Sequence, residues 1–472
     1  GIVECMFDSV MRELREAARA ENRAAGRRLV VIGALELLWL RRFGERETWG
    51  TDTHDAIMAE LAAALGITRG LADSYLDYAR AMRVRLPRVG ALLVAGDIDY
   101  RTFQTIVYRT DLITDPDVLA AVDVELALKV ARWIGITQGR LGGYVDQVVA
   151  RADQDAVRRR RDRRGDREVA FWGDGDGLTE MFGRLHTTDA HAVDARLDAL
   201  AATVCADDPR TRSERRADAM GALATGADRL VCRCGRPDCA AASTPSPSPV
   251  VIHVIADEAA LDGTGQVPGS MIGADALIPA ELVAELARSA TLRPLLHPAD
   301  APPEAGYTPS RALADFVRCR DLTCRFPGCE EPATRCDLDH TVAYGDGGPT
   351  HASNLKALCR RHHLLKTFWG WHDQQLPDAT VIWTSPGGQT YVTTPGSALL
   401  FPQLCTPTTT LNPTPHRPHC ADRTAMMPRR RRTRAQNRAH YIAAQRHLNH
   451  QAHQAVSCGP APPAQDDQPP PF

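Results

Sequence analysis

CRFPGCEEPATRCDLDHTVAYGDGGPTHASNLKALCRRHHLLKTFWGW, residues 324–371, concentrates the chain's chemistry. Cys324 and Cys329 form a C-x4-C pair, and thirty residues after Cys329 come Cys359 and His362, a C-x2-H pair. Two such half-sites suit one tetrahedral zinc ion that staples a small irregular module. Pro327, Gly328 and their charged neighbours read as a turn rather than as core. Between the half-sites lie Asp339, His340 and, fourteen residues after His340, Asn354. The short run Cys336–Leu338 predicts a strand that ends at Asp339-His340, followed by the Gly-rich loop GDGGPTHAS. Leu355 to Lys366 predicts a helix, with Asn354 near its start and Cys359, His362 and His363 on it. The pattern is a strand pair followed by a metal-binding helix. On a helix, adjacent His362 and His363 point about 100° apart, so one can face the zinc and the other a second site. Either histidine fits either job; keeping the C-x2-H spacing assigns His362 to the zinc.

Outward from this stretch, VIWTSPGGQTYVT (381–393) predicts a hairpin with a Pro-Gly-Gly turn, against which Trp369 and Trp371 would pack. His351 and Cys336 read as loop and packing residues. Lys366 reads either as a phosphate contact or as a solvated helix residue. From Arg311 to Pro402 there are nine Arg or Lys and nine Asp or Glu, so this module is not a basic platform. Over all 472 residues the net charge is −2, with 44% hydrophobic and 24% charged residues. Nucleic-acid contact must then come from local patches. The longest apolar run, Leu29–Leu40, contains Glu36 and is too short to span a bilayer. The chain opens GIVECM without a secretory pattern, as a fragment or as an unusual start for which Met6 is a plausible beginning, and a cytoplasmic location is expected. Thirteen cysteines in such a chain suggest metal more than disulfides.

Residues 6–240 read as a mainly helical domain, 241–310 as a linker with a short strand and helix, 311–402 as the metal-bearing module, and 403–472 as a low-complexity basic tail expected to be disordered. The fold class is α+β and multidomain. Glu60–Leu76 is compatible with a helix-turn-helix or a plain αα-hairpin. Arg151–Arg167, with eight arginines and four aspartates, reads as a solvated helix end or linker, or as a phosphate contact. Val169–Leu185 predicts a hairpin; Asp174, Asp176 and Glu180 lack calcium-loop spacing. Cys232, Cys234 and Cys239 can share a zinc, with Cys205 or His253 as a fourth ligand, remain free thiols, or form a disulfide. Val250–Asp257 predicts a buried strand with His253 in its core. In the tail, Arg434–His450 predicts a short helix, and the nine arginines there can supply phosphate-backbone attraction or take no part.

The DH…N…CxxHH pattern resembles the HNH endonuclease superfamily, whose fold is the ββα-metal motif. The wider text, TCRFPGC…CDLDHT…GGPTHASNL…LCRRHHLLKTFWGW…VIWTSPGG, is similar to actinobacterial proteins that join an N-terminal domain of unknown function (DUF222 type) to a C-terminal HNH nuclease, the mycobacterial thirteen-E-twelve repeat proteins among them. The resemblance covers most of residues 6–402 and implies a metal-dependent endonuclease acting on DNA. His340 matches the general base, its second nitrogen held by a backbone group. Asp339 and His363 match the ligands of a catalytic divalent ion (Mg2+, Mn2+, Ni2+ or Zn2+), which would stabilise the phosphorane charge and the leaving oxygen. Asn354 matches the residue that braces the loop orienting His340. Cys324, Cys329, Cys359 and His362 match the structural zinc knuckles, His362 standing where many relatives have Cys. The alternative to an enzyme is a catalytically silent, zinc-stabilised nucleic-acid-binding protein; a secreted nuclease toxin is disfavoured by the opening sequence.

Overall fold

A computed structural model describes residues 2–130, 132, 136–158, 167–173, 178–242, 253–272, 277–288, 290–409 and 426–457. Seven helices open the chain: α1 (Ile2–Phe43), α2 (Thr53–Leu65), α3 (Arg69–Arg80), α4 (Pro87–Ala95), α5 (Tyr100–Arg109), α6 (Pro116–Val130) and α7 (Gln138–Ala152). α1 runs unbroken through the apolar stretches Phe7–Leu14 and Leu29–Trp39, since no Pro interrupts them. Between α2 and α3, Gly66 takes a left-handed conformation (φ +61°) that ends α2. A capping box at Asp52 and Asp55 starts α2, and α2 is buried from Thr53 to Ala62. α2 and α3 thus form an αα-hairpin whose first helix is enclosed in the bundle.

After the bundle come the hairpin β1 (Glu168–Gly173) and β2 (Thr179–Arg184), then α8 (Thr187–Ala201) and α9 (Arg212–Ala224). Asp174 and Asp176 lie outside the described residues, as do Arg159–Asp166. A small antiparallel sheet of β3 (Val254–Ile255), β4 (Gly269–Met271) and β5 (Leu277–Ile278) carries α10 (Glu258–Leu261) and α11 (Ala280–Ala287). Among the described residues of the expected strand Val250–Asp257, residues 254–255 are extended as β3, and His253 is exposed rather than packed. Residues 250–252 lie outside the described residues.

The last module runs α12 (Arg311–Asp321), β6 (Asp337–His340), β7 (Leu355–Leu358), α13 (Arg360–Phe368), then β8 (His372–Gln375), β9 (Val381–Thr384) and β10 (Thr390–Thr393). β6 pairs antiparallel with β7, placing Asp339 opposite Lys356 and His340 opposite Leu355. Residues 355–358, expected to open a helix, form β7 instead. The cause is tertiary: buried Asp321 accepts the Ala357 N–H (2.8 Å), and Arg320 donates to the Ala352 and Leu355 carbonyls (2.8 and 2.7 Å). The helix starts one turn later, with Cys359 as its N-cap.

One hydrophobic core joins this module to the bundle. Leu29, Ile57, Leu76, Phe103 and Val145 belong to the same cluster as Phe326, Leu365, Trp369, Trp371 and Trp383. Trp371 packs on Phe326, Trp383 and Tyr391, as expected of the hairpin. Trp369 turns the other way, into Trp39, Phe43 and Trp49, and donates its indole N–H to the Thr51 carbonyl (3.0 Å).

Of the tail expected to be largely disordered, residues 410–425 and 458–472 lie outside the described residues; the helix expected from Arg434 to His450 is present as α14 (Arg434–Ser457), and it docks on the bundle. Its arginines and the preceding Arg430 meet carboxylates of the bundle. Arg430 and Arg434 pair with Asp52 and Asp55, Arg438 with Asp111, and Arg446 with Asp153 (2.6 Å). Four of the tail's arginines are thus engaged within the chain. No described helix is long and apolar enough to cross a membrane.

Candidate functional site

The knuckle between α12 and β6 brings Cys324 and Cys329 against Cys359 and His362 at the start of α13, with all four donor atoms within 4.8 Å of one another. His362 Nδ1 lies 3.5 Å from Cys324 Sγ and 3.3 Å from Cys359 Sγ. Its ring stacks on Phe326 at 4.0 Å and 6°, which fixes the imidazole plane. Gly328 sits at φ +69°, the left-handed turn that folds the C-x4-C loop back. Three thiols and one imidazole so arranged can hold a metal ion such as zinc. Cys336 is buried but bonds the Pro332 carbonyl and stands outside the set.

One residue on, His363 faces elsewhere. Its Nδ1 lies 2.9 Å from Asp337 Oδ2, and its Nε2 lies 3.5 Å from Asp339 Oδ1. With Nδ1–H donated to Asp337, Nε2 presents a lone pair to a carboxylate oxygen, an arrangement that needs a cation between them. That cation is a proton or a metal ion. The donor pair fits a divalent ion held by one carboxylate oxygen and one imidazole nitrogen, with Asp337 orienting the ring from behind.

The other oxygen of Asp339 is already taken. Lys356 Nζ and Lys366 Nζ donate to Asp339 Oδ2 at 2.6 and 2.7 Å. Both lysines also pair with Asp373, Lys366 at 3.0 Å. Burial would raise the Asp339 carboxyl, but Lys356, Lys366 and His363 outweigh it and hold it well below the ordinary carboxylate range. Lys366 is therefore neither a solvated helix residue nor a free phosphate contact, because Asp339, Asp373 and the His340 carbonyl (2.7 Å) occupy its ammonium. Lys356 and Asp373 escaped sequence reasoning. A signal existed: the chain has only three lysines, Lys129, Lys356 and Lys366, among 56 basic residues. Two of them converge on one carboxylate.

His340 projects from β6 to the opposite side from Asp339, as alternate strand residues do. It stacks on Tyr307 (5.3 Å, 17°), with Tyr344 edge-on at 5.8 Å. Its Nε2 lies 2.9 Å from Thr350 Oγ1, whose own hydroxyl reaches the Tyr307 carbonyl at 3.4 Å. Since that hydroxyl donates onward, His340 donates Nε2–H to it and keeps its lone pair on Nδ1. The second nitrogen is therefore held by a threonine hydroxyl, not by the backbone group expected. Burial pushes the His340 pKa down, keeping the ring neutral.

Asn354 ties the connecting loop. Its Oδ1 accepts from Val342 N (2.8 Å), and its Nδ2 donates to the Val342 and Pro349 carbonyls (3.0 and 2.8 Å). A Cβ at Gly348 would lie 1.8 Å from Val342 O, so only glycine lets the loop close this tightly. His351 braces the same loop through Ser353 Oγ (2.8 Å) and the Ala301 carbonyl (3.1 Å). Thr350, Tyr307 and Asp337 are site residues that spacing alone did not reveal.

The fold and site define a helical bundle fused through one core to a small module whose cysteine–histidine group could hold a metal ion. Residues 16–321 match a family described as a domain of unknown function, DUF222. The chain is 43% identical over 469 residues to the uncharacterized protein Rv3776 of Mycobacterium tuberculosis, covering 93% of this chain and 89% of that one. It is 44% identical over 482 residues to Rv2100 of the same organism, covering 92% and 86%. A further mycobacterial relative, a protein in the est 3' region, is 37% identical over 337 residues, 65% of this chain and 95% of that one. No solved structure matches. The chain belongs to the DUF222 family. The family match ends at Asp321, the last residue of α12, just before the Cys324–Cys329 pair.

Proposed function

We propose that the module of residues 311–402 is an HNH-type, metal-dependent endonuclease that hydrolyses phosphodiester bonds in DNA. The observation that carries this reading is the convergence of Asp339 Oδ1 and His363 Nε2 to 3.5 Å on a strand–strand–helix frame that also holds His340. In this reading His340, neutral and with its lone pair on Nδ1, takes a proton from the attacking water. Thr350 fixes that tautomer and Tyr307 fixes the ring plane. Asn354 holds the loop that carries Thr350, and so positions the base without touching substrate. Asp339 and His363 would hold the divalent ion, which when bound supplies charge stabilisation to the phosphorane and the leaving oxygen. Cys324, Cys329, Cys359 and His362 would hold a structural zinc that sets where α13 begins, and hence where His363 points.

The test is nicking of supercoiled plasmid by the purified full chain with Mg2+, Mn2+, Ni2+ or Zn2+. Nicking is expected in the wild type and lost in a His340→Ala protein that retains its zinc. DNA left intact by both proteins with every ion would sink the enzyme reading. A second reading, a silent nucleic-acid-binding module, is favoured by the two ammoniums on Asp339 Oδ2, which already neutralise much of the carboxylate's charge. Under it, salt-sensitive DNA binding would persist with no nicking, and Mn2+ would not broaden resonances of His363.

A further inference from the structure

Apart from this site, a second group of thiols assembles. Cys205 follows α8, while Cys232, Cys234 and Cys239 follow α9, and all four sulfur atoms lie within 4.8 Å of one another. Cys205 Sγ and Cys232 Sγ are 3.5 Å apart, too far for a disulfide bond. A single tetrahedral ion with Zn–S bonds of about 2.3 Å places its sulfurs about 3.8 Å apart, close to that spacing.

Backbone N–H groups point at three of the sulfurs. The backbone N–H of Asp207 is donated to Cys205 Sγ, and that of Arg236 to Cys234 Sγ. Cys232 receives the N–H groups of Cys205 and Cys234. Gly235 at φ +72° makes the turn that aims the 234–236 backbone back at the sulfurs. The two arms are cross-tied. Buried Asp208 accepts from Arg233 N (2.9 Å) and Arg210, Arg210 donates to the Val231 carbonyl (2.7 Å), and Arg236 pairs with Asp207 (3.0 Å).

Packing explains why an ion is needed. Between residues 187 and 242 the buried apolar side chains are Leu200, Ala201, Ala219, Leu230 and Cys232. Among the described residues none of them belongs to a hydrophobic core cluster of the protein. A helical hairpin with so little core requires a covalent or metal staple to hold one geometry.

We propose that Cys205, Cys232, Cys234 and Cys239 bind a second zinc ion, a tetrathiolate staple that stands in for a hydrophobic core in the α8–α9 segment. The site is separate from the Cys3His group and does not depend on nuclease activity.

The experiment is metal analysis of the purified full chain together with a Cys232→Ser/Cys239→Ser protein and a Cys359→Ser protein. Two zinc ions per chain are expected in the wild type and one in each variant. Limited proteolysis of the Cys232→Ser/Cys239→Ser protein is expected to cut within residues 187–242 and leave the rest of the chain whole. Zinc K-edge absorption of the wild type keeps the test independent of how the variants fold, since its mean ligand set should lie between four sulfurs and three sulfurs with one nitrogen. One zinc ion in the wild type that survives in the Cys232→Ser/Cys239→Ser protein would overturn the proposal. So would iron in its place, or a Cys205–Cys232 disulfide found by alkylation and mass spectrometry.

Discussion

Replacing Lys356 by Met would remove one charge from a buried set of four. Lys356 is fully enclosed, and its ammonium touches Asp339, Asp373 and Thr341 Oγ1 (3.0 Å). The Asp339 and Asp373 side chains are 7% and 2% exposed, so neither can turn to water. Without Lys356, two carboxylates face the single ammonium of Lys366. Deleting one partner of a buried pair costs about 3–5 kcal/mol, most of it the penalty of leaving a charge without compensation. Methionine fills the volume of the lysine stem, so little of the loss should come from a cavity. The assay is urea unfolding followed by tryptophan fluorescence, in zinc-containing buffer. Adding Asp373→Asn restores the balance at one carboxylate per ammonium, and the double variant should recover about 2 kcal/mol of the loss. The reasoning is refuted if Lys356→Met costs less than about 1 kcal/mol, or if the two substitutions simply add. Either result would mean that water already screens these charges.

Asn354→Ala should cost about 2–4 kcal/mol, from three hydrogen bonds and a stranded Val342 N–H, and should speed amide exchange throughout residues 341–353; unchanged exchange would contradict the bracing role. Burial alone would raise Asp55, but Arg434 and Arg430 outweigh it and bring its pKa down to about 2. A depressed carboxyl stabilises above its unfolded pKa of about 3.9. The melting-temperature gap between wild type and Arg430→Ala/Arg434→Ala should therefore be full at pH 7 and close as pH falls from about 5 towards 2. Glu60 behaves in the opposite sense: burial raises its pKa despite the Ser385 hydroxyl bond of 2.6 Å. Its stabilising share is present at low pH and lost as pH rises through the folded pKa. Glu60→Gln should therefore raise the melting temperature at pH 7 and leave it unchanged near pH 4; an equal gain at both would contradict the burial argument.

What could be read from the chain alone is what local spacing encodes. C-x4-C and C-x2-H predict a shared ligand set because knuckles are short, and His362 and His363 diverge because adjacent helix positions must. β7 was hidden because LKAL is as good a helix text as a strand text, and only Asp321, Arg320 and Arg325 from elsewhere decide the matter. Cys205 stands 27 residues before Cys232, so its membership of the second cluster depends on how α8 and α9 pair. α14 lies in a Thr, Pro, His and Arg-rich tail whose composition argues for disorder. Its order comes from carboxylates at Asp52, Asp55, Asp111 and Asp153, more than 290 positions upstream. Composition reports what a segment contains, not which partner is waiting for it.

Trp369 has a consequence for how this protein can be made and varied. Its ring completes a cage whose other walls, Trp39, Phe43 and Trp49, are synthesised more than 300 residues earlier. During synthesis those three rings must wait for the last third of the chain before their pocket closes. By the same token, a module exchanged between relatives will be accepted only if its tryptophan and the host's aromatic wall match. The family match stops at residue 321, while the hydrophobic core runs straight across that point.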